Sequence, residues 1–237
     1  MNKEIILSLI IPCYNEAGNL KNLVNRCIET ITRDDVEVIL VDNGSTDLTP
    51  DIIHDLLVGH GNLRTVRVDE NKGYGYGIVY GLKNAKGKFL SWTHADLQAD
   101  PADILEGLTI IEEHAYSDNI YIKGKRYGRS FHDLVFTWGM ALFESVILNT
   151  AMWDVNAQPT IFSKTFFSQL NEPPSDFSLD LYTYYMAKKT GLSVYRYPVY
   201  FGKRFSGNGH NDKLIAKIKY SYKTIIYSLS LRNKLFG

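Results

Sequence analysis

The chain has 237 residues, 26 Lys and Arg against 26 Asp and Glu, and 45% hydrophobic residues. That size and apolar content suit one large domain with a sizeable core, and zero formal net charge removes the overall basic footprint of a nucleic-acid binder. No apolar run reaches the roughly 18 to 20 residues that span a bilayer.

The charge is nonetheless uneven. From Lys203 onward eight Lys or Arg stand against the single acid Asp212, which predicts a basic tail facing an anionic partner. Cys13 and Cys27 lack a metal-ligand spacing and sit in apolar patterns, as buried free thiols in a reducing compartment do. The first residues lead directly into a strand pattern without a signal-peptide core, and a cytoplasmic protein, soluble or peripheral to a membrane, is expected.

Ile5 to Ile11 is a continuous β-branched and Leu-rich run, the pattern of a strand buried on both faces of a parallel sheet. It ends at Pro12, Tyr14 and Glu16, after which Leu20, Leu23, Val24, Cys27, Ile28 and Ile31 recur at helical spacing. Val36 to Val41 predicts a second buried strand, ending in the polar turn Asp42-Asn43-Gly44-Ser45-Thr46-Asp47 before another helix. Leu63 to Val68 predicts a third. Strands alternating with helices, each strand ending in polar residues, form the doubly wound α/β pattern, whose ligands bind outside the carboxyl ends of the strands.

The organising stretch is Asn71 to Pro101. Lys72 and the glycines at 73, 75 and 77 lead a helix, Phe89 to Trp92 forms a buried strand, and His94, Asp96, Gln98 and Asp100 follow it. Side chains spaced by two on extended backbone share a side, and such oxygen ligands suit a hard divalent cation. Asp96 and Asp100 also read as turn and cap residues before Pro101. Acids at two strand ends suit a ribose or base edge, and Lys72 beside glycines and a cation suits a diphosphate. The expected ligand is a nucleotide diphosphate bridged to the protein by metal.

SLIIPCYNEAGNL, VDNGSTDLT, NKGYGYGIVYGLKNAKG and THADLQADP, in this order and spacing, resemble the donor half of glycosyltransferase family 2 with its GT-A fold. The similarity is strongest over residues 5 to 104 and points to the polyprenyl-phosphate (dolichol-phosphate) mannose synthase branch. It implies a central, mostly parallel Rossmann-like sheet flanked by helices. Residues 1–210 would form the GT-A domain, with 1–104 the donor half and 105–210 the acceptor half, and 211–237 a basic amphipathic helix. Carried over by position, the resemblance implicates Pro12, Tyr14, Glu16, Asp42 and Lys72 in holding the nucleotide sugar, and Asp96 and Gln98 in holding Mg or Mn. His94 stands where the family's first acid is usual; it either ligates the cation or is a structural residue of the loop.

Beyond Pro101 a helix and a strand at Asn119 to Ile122 are expected, then a turn carrying Lys123, Lys125, Arg126 and Arg129. A basic turn beside a diphosphate site favours anion binding over a merely solvated loop. By resemblance Arg126, with Arg129 second, meets the acceptor phosphate. Leu134 to Leu148 carries one charge, Glu144, and reads as a core helix or one lying at a membrane surface or lipid groove. Asp180, in the Tyr-rich helix Phe177 to Lys188, occupies the position of the family's acid that acts as base on a hydroxyl acceptor. A last strand, Leu192 to Val199, precedes a Gly-rich loop in which Arg204 matches the residue that neutralises the leaving diphosphate. The tail Lys213 to Leu235 repeats apolar residues on one stripe flanked by Lys217, Lys219 and Lys223, for packing on the domain or on an anionic membrane.

The expected function is metal-dependent, inverting transfer of a sugar from a UDP- or GDP-sugar to a polyprenyl phosphate at the cytoplasmic membrane face, with Asp96, Arg126 and Arg204 central. One alternative makes the acceptor a sugar hydroxyl on a glycan, with Asp180 as base. Another is a non-catalytic nucleotide-sugar-binding protein whose metal site is lost at His94.

Overall fold

The computed structural model describes residues 4–202 and 214–236, with side chains in those ranges except at 214–221 and 234–236. The first half alternates as the hydrophobic pattern requires: β1 (Leu7–Cys13), α1 (Ala17–Thr30), β2 (Val36–Asn43), α2 (Thr49–Leu57), β3 (Leu63–Val68), α3 (Tyr74–Asn84) and β4 (Phe89–Trp92). A 3-10 turn at Pro101–Asp103 leads into α4 (Ile104–Glu113). Then come β5 (Ile120–Tyr127), α5 (Phe131–Ile147), β6 (Thr160–Ser163), α6 (Lys164–Gln169), α7 (Ser178–Lys189), β7 (Ser193–Tyr200) and α8 (Leu214–Phe236).

The strands form one sheet in the order β3-β2-β1-β4-β6-β5-β7. All pairings are parallel except those of β6, which runs antiparallel to both β4 and β5. The sheet is covered on both faces, and the alternation of a strand shows how. Leu9 and Ile11 of β1 pack toward α1, α2 and α4. Ile10, between them, packs toward α3 and α7. Both faces are apolar, which is why β1 and β2 read as unbroken hydrophobic runs rather than as alternating ones. Both cysteines are buried free thiols.

Two local expectations fail, for one reason. The strand expected to stop at Ile122 continues to Tyr127, so Lys123 to Arg126 belong to β5 and not to a turn beyond it. The segment Thr160–Ser163, where the sequence reading placed no strand, is a central strand. In both places pairing with neighbouring strands fixes the backbone: Lys123 pairs with Thr160 on one side and with Arg196 on the other. Tertiary pairing here overrides a local pattern rich in charge and glycine. The last helix, α8, packs on α5 and α7. Among the described residues no helix is long and apolar enough to cross a membrane.

Candidate active site

A cleft of about 710 Å³ opens outside the carboxyl ends of β1, β2, β4 and β5, where ligands bind in open α/β sheets. A smaller cavity of about 530 Å³ includes Ile5, Glu37, Arg64 and Lys86 in its wall. There Glu37 accepts from Ser8, Arg64 and the Lys86 amide, so its charge is spent on holding the fold.

On the first side of the main cleft the turns after β1 and β2 are sewn together. The Asn15 amide donates to Ser45 Oγ at 3.1 Å, the Thr46 amide donates to Asn15 Oδ1 at 2.9 Å, and the Glu16 amide donates to Thr49 Oγ1 at 2.9 Å. This brings Pro12, Tyr14 and Glu16 into the cleft wall, joined by Asn43 and Asn71. Two expected members are not in that wall. Asp42 is buried beneath the turn, where Oδ1 accepts from the Ser45 amide at 3.0 Å and Oδ2 pairs with Arg67 at 3.2 Å. Lys72 places Nζ 5.5 Å from the centroid of the Tyr76 ring.

The glycines after Lys72 also serve a purpose other than the expected diphosphate contact. A Cβ at Gly73, where φ is +114°, would lie 2.4 Å from the Ser175 carbonyl oxygen, and one at Gly75 would lie 2.4 Å from that of Pro174. Glycine is needed because two backbones touch. That approach seats the loop before α3 against the loop before α7 and puts Tyr74, Asp176 and Phe177 in the wall. The Tyr74 ring stacks on Phe177 at 4.4 Å and on His94 at 5.5 Å. Burial, then the charges of Asp180 and Asp96, hold the Tyr74 hydroxyl well above its usual range.

His94, Asp96 and Gln98 all face the cleft. Asp96 is buried, and its Oδ1 accepts from the Gln98 amide at 3.1 Å across Leu97, which sits at φ +56°. Gln98 Nε2 donates to the Gly202 carbonyl at 3.3 Å, tying this loop to the end of β7. Asp100 leaves the group: it pairs with Arg26 at 2.6 Å and accepts from the Ala102 amide at 2.9 Å, the cap reading of the sequence. Among the described residues no three His, Cys, Asp or Glu side chains form a ready metal cage. One carboxylate, one amide and one imidazole on a common wall fit a divalent cation as a partial shell, completed by water or by oxygens of a bound diphosphate.

The other side is built around Asp154. Its carboxylate accepts from the Arg126 amide at 3.0 Å and from Arg126 Nε at 2.9 Å, and Arg129 stands 3.8 Å away. Burial alone would raise the Asp154 carboxyl, but the Arg126 charge and hydrogen bonds outweigh it and hold it below its usual value. Arg129 also donates to Thr137 Oγ1 at 2.8 Å, and both guanidinium groups lie within 6 Å of the Phe201 ring, at 5.1 and 5.9 Å. Two cationic side chains thus face the cleft around one acid.

Asp180 reaches the wall from the first turn of α7 and is itself buried. Its Oδ1 accepts from Gln158 Nε2 at 2.7 Å and pairs with Lys123 Nζ at 3.5 Å. Helix α5, capped by Ser130 accepting from the Asp133 amide, turns Thr137, Met140, Ala141 and Glu144 toward the cleft. Its other stripe, Phe131, Val135, Trp138, Leu142 and Val146, is exposed. Glu144 is 4% exposed, and burial pushes its carboxyl up to about 8. Lys223 and Thr224 of α8 border the cleft. Arg204 lies outside the described residues.

Sequence reasoning counted Lys123 in a basic turn, placed Tyr74 and Glu144 in their segments without assigning them to the site, and gave Asp154 no role. Only Glu144 left a clear signal, as the one charge in fifteen otherwise uncharged residues.

Solved structures of similar shape share this architecture. A mannosyltransferase from Pyrobaculum calidifontis in complex with GDP-Man and Mn2+ matches 97% of this chain and 70% of its own, at TM-score 0.66 and 19% identity. Glucosyl-3-phosphoglycerate synthase from Mycobacterium tuberculosis, in complex with Mn2+, UDP and glucosyl-3-phosphoglycerate, matches 96% of this chain and 80% of its own, at TM-score 0.68 and 17% identity. At the sequence level the chain is 34% identical over 102 residues to an undecaprenyl-phosphate 4-deoxy-4-formamido-L-arabinose transferase of Aeromonas hydrophila, 42% of this chain and 31% of that protein. An uncharacterised glycosyltransferase of Rickettsia typhi is 34% identical over 93 residues, 39% of this chain and 28% of that protein. The chain therefore spans less than a third of the length of these two relatives. The model of glycosyl transferase family 2 matches residues 8–168, more than half of the chain, and the chain belongs to that family.

Proposed function

We propose that the chain transfers a sugar from a nucleotide-diphosphate donor to a polyprenyl phosphate at the cytoplasmic face of a membrane, with inversion at the transferred carbon. Arg126 and Arg129 carry this reading: two guanidinium groups share the single carboxylate of Asp154 on the cleft wall, beside a helix whose outer face is apolar. A phosphate acceptor is already an oxyanion at neutral pH. It needs cationic positioning rather than a base. The polyprenyl-phosphate sugar transferase among the relatives supports the same acceptor class.

In this reading Pro12, Tyr14 and Glu16 border the nucleotide. Asp96, Gln98 and His94 hold Mg or Mn, which when bound neutralises charge on the departing diphosphate. Asp96 holds its loop shape by accepting from the Gln98 amide, and by resemblance Arg204 is the residue expected to neutralise the leaving diphosphate. Asp42 acts indirectly, by shaping the turn that carries the wall, and Lys72 stands over the Tyr76 ring. Phe131, Trp138, Leu142 and Val146 of α5, with Tyr222, Ile226 and Leu229 of α8, meet the anionic membrane from their exposed positions.

The test is release of UDP or GDP from a panel of nucleotide sugars with Mn or Mg, with and without a short polyprenyl phosphate in detergent. Release that depends on the lipid phosphate supports the proposal. Release indifferent to lipid and stimulated by glycans favours a second reading, in which Asp180 is the base for a hydroxyl acceptor, since it does face the cleft. Asp180→Asn then separates the two, because loss of a base reduces turnover by about 10²- to 10⁴-fold.

A further inference from the structure

Lysine is almost never fully buried without a partner. Lys123 is 0% exposed, in the middle of β5, on the face of the sheet that Tyr121 shares. Strand register places it opposite Thr160 of β6, and its Nζ donates to Thr160 Oγ1 at 2.7 Å. The remaining partner is Asp180 Oδ1, 3.5 Å away, which also accepts from Gln158 Nε2. Both protein contacts of the carboxylate therefore fall on Oδ1. Oδ2 has no hydrogen-bond partner among the described residues, in a side chain that lies in the cleft wall.

A carboxylate held by one oxygen from behind presents the other to whatever fills the cleft. An amine on β5 and an amide in the loop before β6 both hold Oδ1, which limits rotation of the carboxylate plane. We propose that Lys123 is a positioning residue: it holds the Asp180 carboxylate in place, with Oδ2 turned to accept a hydrogen bond from a hydroxyl of the transferred sugar. This rests on the reading of the cleft as a nucleotide-sugar site, and assigns recognition of the sugar, as distinct from the nucleotide, to Asp180 and the amine behind it.

The amine also supplies a readout. Burial lowers the Lys123 amine, Asp180 opposes that, and Arg196, Asp154 and Arg126 act in turn, leaving it at about 8. These are the charged groups that face it from β7, from the loop before β6, from α7 and from β5 itself. As pH rises through that value Lys123 loses its charge, and the hold on Asp180 weakens. Donor KM in the wild type is expected to climb across this range while affinity for UDP or GDP stays level.

The experiment compares binding of UDP and GDP with binding of UDP-glucose, UDP-N-acetylglucosamine and GDP-mannose, in Mn buffer, for wild type, Lys123→Met, Asp180→Asn and the double variant. Each single variant is expected to lose about tenfold or more in affinity for the productive nucleotide sugar and little for the bare nucleotide. The double variant should lose no more than Asp180→Asn alone, because Lys123 acts only through Asp180. It also removes the lone buried charge, so it remains measurable if Lys123→Met does not fold. Equal losses for sugar-linked and bare nucleotides, additive losses in the double variant, or an alkaline rise in KM that persists in a folded Lys123→Met protein would overturn the proposal. Failure of every nucleotide to bind the wild type would instead remove the functional reading beneath it.

Discussion

The region up to α4 and the region after it build their parts of the cleft by opposite means. In the first, apart from Glu37 and Asp42, whose carboxylates are spent within the fold, the framework is apolar on both faces of the sheet, and the polar groups of the cleft wall sit in turns and loops beyond the strand ends: Tyr14, Glu16, Asn71, His94, Asp96 and Gln98, with Asn43 as the last residue of its strand. In the second, charges enter the framework itself. Lys123 and Arg126 belong to a strand, Glu144 and Asp180 to helices, and Asp154 is buried against Arg126. Loops on an apolar frame can change without unfolding it. Buried charges cannot, because each holds another in place. The first region should therefore yield variants that lose activity and keep stability, and the second variants that lose both.

Asp96→Ala is the sharpest test of the first half of that contrast. Turnover is expected to fall by about 10³-fold or more, as when a principal charge-stabilising element is removed. The melting temperature should stay within a few degrees, since Asp96 sits in a loop beyond β4 and its bond to the Gln98 amide is a local turn contact. A wild-type rate would remove Asp96 from the site. Arg126→Ala tests the second half. It leaves Asp154 buried beside Arg129 alone, with an expected destabilisation of about 3 to 5 kcal/mol, and raises acceptor KM in whatever protein remains folded. Asp154→Asn with Arg126→Ala should recover part of the stability and none of the acceptor affinity; recovery of both would make the pair structural only.

A second contrast is between the two faces of α5. Trp138→Ser with Leu142→Ser changes residues that are 59% and 69% exposed, so stability should move by no more than about 0.5 kcal/mol per site. Each side chain, if buried in a bilayer surface, contributes about 1.5 to 3 kcal/mol. Partition onto vesicles containing anionic lipid should then fall by about a hundredfold or more, measured by flotation, with no change in donor binding. Unchanged partition would leave α5 without a membrane role.

The same asymmetry governs what the sequence discloses. The strands and turns of the first region were legible because hydrophobic runs, Gly, Asn and Asp each act locally there. Even so, two features there have contacts that the local pattern does not show. Asp42 looked like a ligand because it ends a strand, yet its side chain bonds back into the turn it begins. The glycines at 73 and 75 looked like a phosphate cradle, yet their contact is with residues about a hundred positions away. Beyond residue 104 the decisive facts are all of that long-range kind. Nothing near Lys123 announces that its strand continues, because the pairing that extends it is with β6 and β7. Nothing near Arg126 announces that Asp154 is its partner.

Among the described residues Glu144 is the buried charge that lacks such a partner, and so the place where the contrast can be reversed. Its carboxyl is buried and raised to about 8 from an ordinary value of 4.5, with burial as the cause. A raised value in the folded state means that this group's contribution to stability is fully present below about 4.5 and is lost as pH rises through about 8, because unfolding lets the carboxyl ionise in water. Relative to the wild type, Glu144→Gln should therefore gain stability between about pH 5 and pH 7, by on the order of 2 kcal/mol, since an amide has no proton to lose. Urea unfolding at the two pH values measures it. A gain that grows with pH marks Glu144 as a neutral acid in the native cleft, the one framework charge whose removal stabilises. A difference that does not change with pH would mean that Glu144 is ionised where it stands and has found a cation, and the second region would then be uniform in pairing every charge it buries.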